Sequence, residues 1–144
     1  MILKKSYEEA ISRKCDFFIT TELSLTGYPP EDLLFRKDFL NRVNYYIKKI
    51  INLTANQETI FVLSVPLLIK KKIVNSLLLV KSGKIIFEVQ KKKLPNYGVF
   101  DELRYFKSLD KNRKIFNYSN KKFDFLICED MWSIDYSNDK KKID

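Results

Sequence analysis

The sequence predicts an α/β fold in which helices cover one face of a mixed sheet. Three observations lead to this prediction. Residues 3–15 and 37–54 repeat apolar side chains at helical spacing. Short runs of continuous apolar residues are typical of buried strands. A strand-turn-strand pattern also surrounds Lys81, Ser82 and Gly83. Helices and strands therefore alternate along a chain of 144 residues, a length that suits one domain.

The first part of the chain predicts a helix, a strand, a loop and a second helix, in that order. The first helix covers Leu3–Cys15, and the strand at Asp16–Thr21 is short, apolar and partly β-branched. Pro29 and Pro30 stop any regular element, so we expect a loop there. The second helix spans about Lys37–Thr54, where apolar residues form one face.

The remainder of the chain predicts mainly strands. Thr59–Val65 is nearly all apolar, as in a central strand that is covered on both faces. Ile73–Val80 and Lys84–Gln90 flank the Lys-Ser-Gly turn and predict a hairpin. A loop and a helical turn at Asp101–Phe106 then lead to the last predicted strand, Phe123–Cys128.

The composition excludes several classes of function. The chain has no histidine, so it cannot form a Ser-His-Asp triad, a Cys-His pair or an imidazole metal site. Cys15 and Cys128 are too few for a disulfide scaffold or a zinc module. No apolar run approaches the ~20 residues that a membrane span needs, and we expect a cytoplasmic protein. Acid–base chemistry must rely on carboxylates, lysines, tyrosines or cysteines.

The net charge of +9 has two interpretations. A basic surface can bind nucleic acid through contacts with phosphates. The lysine pairs recur in every part of the chain, however, which favours solvated lysines in a lysine-rich sequence. The alternative is a small basic protein that binds RNA or another partner. It predicts a salt-dependent affinity for nucleic acid and no effect of changing Cys128.

Three polar residues lie at the ends of predicted strands: Glu22, Lys91 and Cys128. Ligands of α/β proteins tend to bind at the carboxyl ends of strands. A cysteine nucleophile needs a base to form its thiolate, or a nearby cation to lower its pKa. Without histidine, Glu22 and Lys91 are the candidates for these roles. Taken singly, a buried structural cysteine and solvated charges are the commoner explanations, so spacing alone leaves the question open.

The segments around these residues carry more information. Residues 22–34 read ELSLTGYPPEDLL, residues 91–102 read KKKLPNYGVFDE, and residues 127–132 read ICEDMW. Together they closely resemble the amidase domain of glutamine-dependent NAD synthetases, a carbon–nitrogen hydrolase of the nitrilase superfamily. The resemblance implies part of a nitrilase-type α-β-β-α sandwich, roughly its first half, with one mixed sheet and covering helices.

The resemblance also implies a role for each candidate site residue. Glu22 is expected to be the general base and acid, Lys91 the cation at the tetrahedral intermediate, and Cys128 the nucleophile. Glu102 is expected to orient the lysine or the substrate. Two further positions are expected to wall the glutamine pocket: Tyr28 and Tyr97. The implied reaction hydrolyses glutamine through a thioester and supplies ammonia for making NAD from deamido-NAD. No cofactor or metal takes part in this step.

The family pattern also leads to expectations about the extent of the chain. We expect a partial carbon–nitrogen hydrolase domain at residues 1–132 and a disordered polar tail at residues 133–144. The synthetase domain, to which ATP and Mg²⁺ belong, is expected to be absent. Half a sandwich would leave an apolar sheet face in water. The chain is thus expected to be an inactive remnant, or to act with a separately encoded remainder or as a homo-oligomer.

Overall fold

A computed structural model of the protein describes residues 2–109, 112 and 114–133. Apart from Ser133, the tail predicted at residues 133–144 lies outside the described residues. The elements are, in chain order, α1 (Ile2–Ser12), β1 (Phe17–Ile19), a 3-10 helix (Glu31–Phe35), α2 (Lys37–Leu53), β2 (Ile60–Ile69), β3 (Lys72–Lys81), β4 (Lys84–Gln90), α3 (Glu102–Tyr105), β5 (Ile115–Tyr118), β6 (Lys121–Asp124) and a second 3-10 helix (Cys128–Ser133).

Strands β1 to β4 form one mixed sheet in that order. β1 runs parallel to β2, whereas β2 with β3 and β3 with β4 are antiparallel. The long strands β2 and β3 lie at the centre, and most of their residues are buried. Their continuous apolar sequences suit strands that are covered on both faces. The predicted α/β class with a mixed sheet is confirmed.

Helices α1 and α2 cover one face of this sheet. Tyr7 of α1 and Ile47 and Ile50 of α2 pack against Phe61 and Leu78 of the central strands. Tyr7 is fully buried, and its hydroxyl donates a 2.7 Å hydrogen bond to the carbonyl of Thr59. The buried polar atom is therefore satisfied, and the apolar stripe of each helix becomes the core of this layer.

The opposite face of the sheet is covered by the antiparallel hairpin β5–β6, which forms a second, two-stranded sheet. Ile60, Val62 and Leu79 are fully buried on this face, where Phe116 and Phe125 pack against their cluster. The prediction of an apolar sheet face in water is wrong here, because the aromatic residues after position 114 fold back over the sheet. The fold thus has helices, a large sheet and a small sheet in successive layers.

The last predicted strand, Phe123–Cys128, is also wrong in its extent. β6 ends at Asp124, and residues 125–127 are irregular although their sequence is apolar. Ile127 is buried against the large sheet through its side chain instead of through a strand ladder. Cys128 therefore begins a 3-10 helix and does not end a strand.

Strand β2 continues to Ile69, beyond the predicted end at Val65. Lys70 and Lys71 connect it to β3, and both adopt a positive φ, of +47° and +63°. These angles are typical of a two-residue hairpin turn. In the described part of the chain, no helix has the length and apolar character needed to cross a membrane.

Candidate active site

The three residues predicted at strand ends converge at one edge of the large sheet. β1 and β4 run in the same direction, so Glu22 after β1 and Lys91 after β4 reach the same edge. The Lys91 Nζ donates a 2.8 Å hydrogen bond to the Glu22 Oε1. A cavity of about 140 Å³ is lined by both Glu22 and Cys128. A carboxylate, an ammonium group and a thiol therefore share one site.

Lys91 is the centre of the site and is only 1% exposed. Its Nζ donates hydrogen bonds of 2.8 Å to the Oε1 atoms of both Glu22 and Glu102. Its backbone N–H donates a 2.8 Å bond to the carbonyl of Asn75 on β3, which fixes the end of β4. Burial by itself lowers the pKa of Lys91, but the hydrogen bonds to Glu102 and Glu22 outweigh it, so the pKa is raised. Lys91 is a permanent cation at neutral pH.

Glu22 presents its two oxygens to different surroundings. The Oε1 accepts from Lys91 and also from the Asn75 Nδ2 at 2.7 Å. The Oε2 accepts no hydrogen bond from any residue that the structure describes. The turn after Glu22 is held by Leu23, which has a φ of +49° and whose N–H donates to the Ser64 Oγ at 2.9 Å. The chain thus directs one basic oxygen away from the ion pair.

Glu102 is buried at the start of α3 and faces Lys91 from the other side. Its Oε1 also accepts a 2.9 Å hydrogen bond from the hydroxyl of Tyr28. Burial raises the pKa of the Glu102 carboxyl, and the hydrogen bond from Lys91 offsets part of this effect. Its Oε2 is buried and has no partner among the described residues. Such an acceptor favours a ligand that donates a hydrogen bond.

The two predicted tyrosines occupy different places. Tyr28 and Glu102 line a second cavity, of about 390 Å³, and the Tyr28 hydroxyl bonds directly to Glu102. Tyr97 is more than half exposed, and its hydroxyl donates a 2.9 Å hydrogen bond to the Glu129 Oε2. Tyr97 therefore contacts the residue that follows Cys128. Tyr28 lies within the ion-pair network and Tyr97 lies at its solvent side.

Cys128 is exposed and has a φ of +48°. This backbone conformation is unfavourable for a side chain with a Cβ, and such residues cluster at functional sites. Partial burial of the thiol and the negative charge of Glu22 raise the pKa of Cys128, and the positive charge of Lys91 offsets part of the rise. The thiol is therefore protonated at neutral pH, and a base is needed to make it a nucleophile.

Two residues of the network were not predicted from the sequence. Asn75 binds Glu22 through its side chain and Lys91 through its carbonyl. Asp130 is 6% exposed and accepts hydrogen bonds from the backbone next to Lys91 and Cys128. The sequence could have pointed to Asn75, because its polar amide side chain interrupts the apolar sequence of β3. Among the described residues, no group of three or more Cys, Asp or Glu side chains is arranged to hold a metal ion.

Curated proteins similar to this chain are glutamine-dependent NAD(+) synthetases. That of Thermotoga maritima is 39% identical over 139 residues, which cover 91% of this chain and 23% of the relative. That of Aquifex aeolicus is 37% identical over 121 residues, which cover 84% of this chain and 21% of the relative. The chain spans about a fifth of the length of the curated relatives it matches. No family model matches the chain.

Solved structures with the same fold include a glutamine-dependent NAD+ synthetase from Acinetobacter baumannii in complex with adenosine diphosphate. It is 34% identical with a TM-score of 0.80, over 91% of this chain and 24% of that one. The NitN amidase of Nesterenkonia sp. AN1 has a TM-score of 0.74 at 17% identity, over 88% of this chain and 49% of that one. The second likeness shows the fold alone. Together these matches confirm the resemblance predicted from the sequence.

Proposed function

We propose that this chain, which is similar to one segment of the glutamine-dependent NAD(+) synthetases, hydrolyses the side-chain amide of glutamine and releases ammonia. The observation that carries the proposal is the pair of 2.8 Å hydrogen bonds that hold Lys91 between Glu22 and Glu102, beside the cavity of Cys128. A base, a cation and a thiol in one site support acyl transfer without histidine.

The first step forms the nucleophile. Because the pKa of Cys128 is raised, its thiol carries a proton at neutral pH. The Oε1 of Glu22 is occupied by Lys91 and Asn75, so the Oε2 is the oxygen that takes this proton. The thiolate then attacks the side-chain amide carbon of glutamine, and a C–S bond forms while the carbonyl electron pair moves to oxygen.

The second step stabilises the tetrahedral intermediate and breaks the amide. Lys91 has three N–H donors, of which Glu22 and Glu102 take two, so one remains for the oxyanion. A positive charge held in place before the reaction stabilises the developing negative charge without reorganisation. Protonated Glu22 then gives its proton to the leaving nitrogen. The C–N bond breaks, ammonia departs, and a thioester remains on Cys128.

The last step hydrolyses the thioester. Glu22 takes a proton from water, the hydroxide attacks the thioester carbonyl, and glutamate leaves as the thiol of Cys128 regains the proton. Tyr28, Tyr97 and Glu102 are proposed to hold the substrate. The buried Oε2 of Glu102 is an acceptor for a donor group of glutamine.

The names of the relatives suggest the use of the ammonia. We propose that it amidates deamido-NAD in a synthetase unit that uses ATP and Mg²⁺. That unit would be supplied by the rest of a longer chain or by a separately encoded partner, with a homo-oligomer as a further form of assembly. The amidase step itself is proposed to need no cofactor, since its base, cation and nucleophile are side chains of this chain.

An ammonia-release assay with glutamine tests the proposal. We expect activity in the 144-residue chain and in Cys15→Ala, and loss of that activity in Cys128→Ala. Cys15 is the matched control because it is the chain's other cysteine and lies after α1, outside the site. Activity that survives Cys128→Ala would contradict the thiol mechanism. A folded wild type without activity would favour the inactive remnant.

A further inference from the structure

We propose that Asp130 is a positioning residue that fixes the nucleophile Cys128 relative to the cation Lys91. Nothing in the sequence pattern assigned a role to Asp130, and the inference rests on the proposed amide hydrolysis. The carboxylate of Asp130 accepts hydrogen bonds from backbone N–H groups on both sides of the site.

The geometry of this carboxylate carries the proposal. The Asp130 Oδ1 accepts hydrogen bonds from the backbone N–H of Lys92 at 3.0 Å and of Lys93 at 2.8 Å. Its Oδ2 accepts from the backbone N–H of Ile127 at 3.3 Å. One side chain therefore binds the two residues after Lys91 and the residue before Cys128. Asp130 is 6% exposed, so water competes little for these bonds.

The backbone near Cys128 needs this support because no strand ladder reaches it. β6 ends at Asp124, and residues 125–127 are irregular. Cys128 also has a φ of +48°, a conformation that persists only where the surroundings fix it. The N–H of Asp130 donates to the carbonyl of Ile127 at 3.1 Å and closes the turn. Asp130 thus holds the turn internally and ties it to the end of β4.

A carboxylate suits this position better than an amide. Three N–H donors converge on Asp130, and an ionised carboxylate is acceptor-only on both oxygens. Asp130→Asn keeps one acceptor oxygen for Lys92 and Lys93, but it places an NH₂ donor against the N–H of Ile127. Asp130→Asn therefore loses the hydrogen bond to Ile127, next to Cys128, whereas Asp130→Ala loses all three hydrogen bonds.

Three measurements on the 144-residue chain test the proposal, with Asp38→Asn as the matched control. Asp38 is exposed and pairs with Arg36 at the start of α2, so its variant changes a carboxylate away from the site. The measurements are amide hydrogen exchange at Lys92, Lys93 and Ile127, the pH profile of iodoacetamide alkylation in a Cys15→Ala background, and kcat and KM for ammonia release from glutamine.

We expect Asp130→Asn to lose exchange protection at Ile127 and to move the alkylation midpoint of Cys128 towards that of an ordinary thiol. The reason is that Cys128 leaves the cavity that it shares with Glu22. We expect kcat to fall about 100-fold, the effect of a displacement of about 1 Å, while KM stays unchanged. Asp38→Asn should behave as the wild type in all three measurements.

Other results would overturn the proposal. An Asp130→Asn variant with the wild-type alkylation midpoint and wild-type kcat would do so. Rapid hydrogen exchange at the Lys92 and Lys93 amides of the wild type would also overturn the proposal. This measurement does not depend on whether a variant folds. If the wild type releases no ammonia, the proposed function fails separately. The exchange and alkylation data then still decide whether Asp130 anchors the thiol.

Discussion

At the scale of single residues, the site is organised around one buried ammonium group that faces two carboxylates. Lys91 forms ion pairs with both Glu22 and Glu102. One positive charge therefore faces two negative charges when both carboxylates are ionised, and the net local charge is negative. A negative surrounding disfavours a thiolate, which agrees with the raised pKa of Cys128. The thiol of Cys128 is therefore protonated at rest, which is consistent with the proposal that Glu22 acts as its base.

Glu22→Gln should change the two reactivities of Cys128 in opposite directions. Removing the negative charge lowers the pKa of the thiol, so the thiolate fraction and the alkylation rate near neutral pH increase. Amide hydrolysis should fall by about 10²–10⁴, the usual contribution of general acid–base catalysis. Iodoacetamide rates across pH in a Cys15→Ala background and an ammonia assay measure both effects.

In the wild type, the pH midpoint of Cys128 alkylation should lie above the ordinary cysteine pKa of about 8.5. In Glu22→Gln, the same midpoint should lie below that of the wild type. A Glu22→Gln midpoint equal to or above that of the wild type would show that Glu22 does not act on the thiol through its charge.

Three residues of the candidate site were predictable from the sequence, because the segments around them resemble those of a known family. The segments that contain Glu22, Lys91 and Cys128 identified these residues, whereas their spacing did not. Asn75 and Asp130 were missed because their roles depend on contacts between distant parts of the chain. Asn75 meets Glu22 across 53 positions, and Asp130 meets Lys93 across 37. Local periodicity carries no information about such pairs.

At the scale of elements, the sequence predicted the helices and the β3–β4 hairpin but not every boundary. Helical spacing located α2 almost to the residue, and the turn at Ser82 and Gly83 has a positive φ at both positions, as the glycine suggested. The β2–β3 turn was missed because lysines replace the Asn-Gly pattern that marks such turns. The end of β6 was predicted too late because residues 125–127 are apolar, as in a strand. The side chains of Phe125 and Ile127 pack against the large sheet, but the backbone of residues 125–127 does not pair with another strand.

The β2–β3 turn should become more stable when its two lysines are replaced by residues that favour a positive φ. Lys70 and Lys71 have φ values of +47° and +63°, which are unfavourable for residues with a Cβ. The double substitution Lys70→Asn with Lys71→Gly should raise the free energy of unfolding by about 1 kcal/mol, because Asn and Gly adopt this turn readily.

Urea denaturation measures this gain, and Lys72→Gly is the matched control. Lys72 begins β3, where a glycine should lower stability instead of raising it. A double variant that is no more stable than the wild type would contradict the turn geometry.

At the scale of the whole molecule, the central strands β2 and β3 are buried on both faces, one by helices and the other by the β5–β6 hairpin. This arrangement places the second 3-10 helix, which begins with Cys128, above the edge where Glu22 and Lys91 emerge. The hairpin therefore bears on the proposed chemistry as well as on packing. It brings Cys128, the proposed nucleophile, close to Glu22 and Lys91, the proposed base and cation at the edge of the large sheet.

Leu79→Ala tests the contact between the hairpin and the large sheet. Leu79 is fully buried on the hairpin side, so the substitution should lower the free energy of unfolding by about 3 kcal/mol. Leu68→Ala removes the same atoms from a side chain that is 55% exposed and serves as the control. Denaturation curves that show equal losses for the two variants would contradict the buried second face.

We propose that Cys128 attacks the amide of glutamine and carries the acyl group. The most direct measurement is rapid acid quenching of the Cys15→Ala chain with glutamine, followed by peptide mass spectrometry. We expect one glutamyl group on the peptide that contains Cys128, and none on the corresponding peptide of the variant that also carries Cys128→Ala. Turnover of glutamine to glutamate and ammonia without a glutamyl group on Cys128 would contradict it.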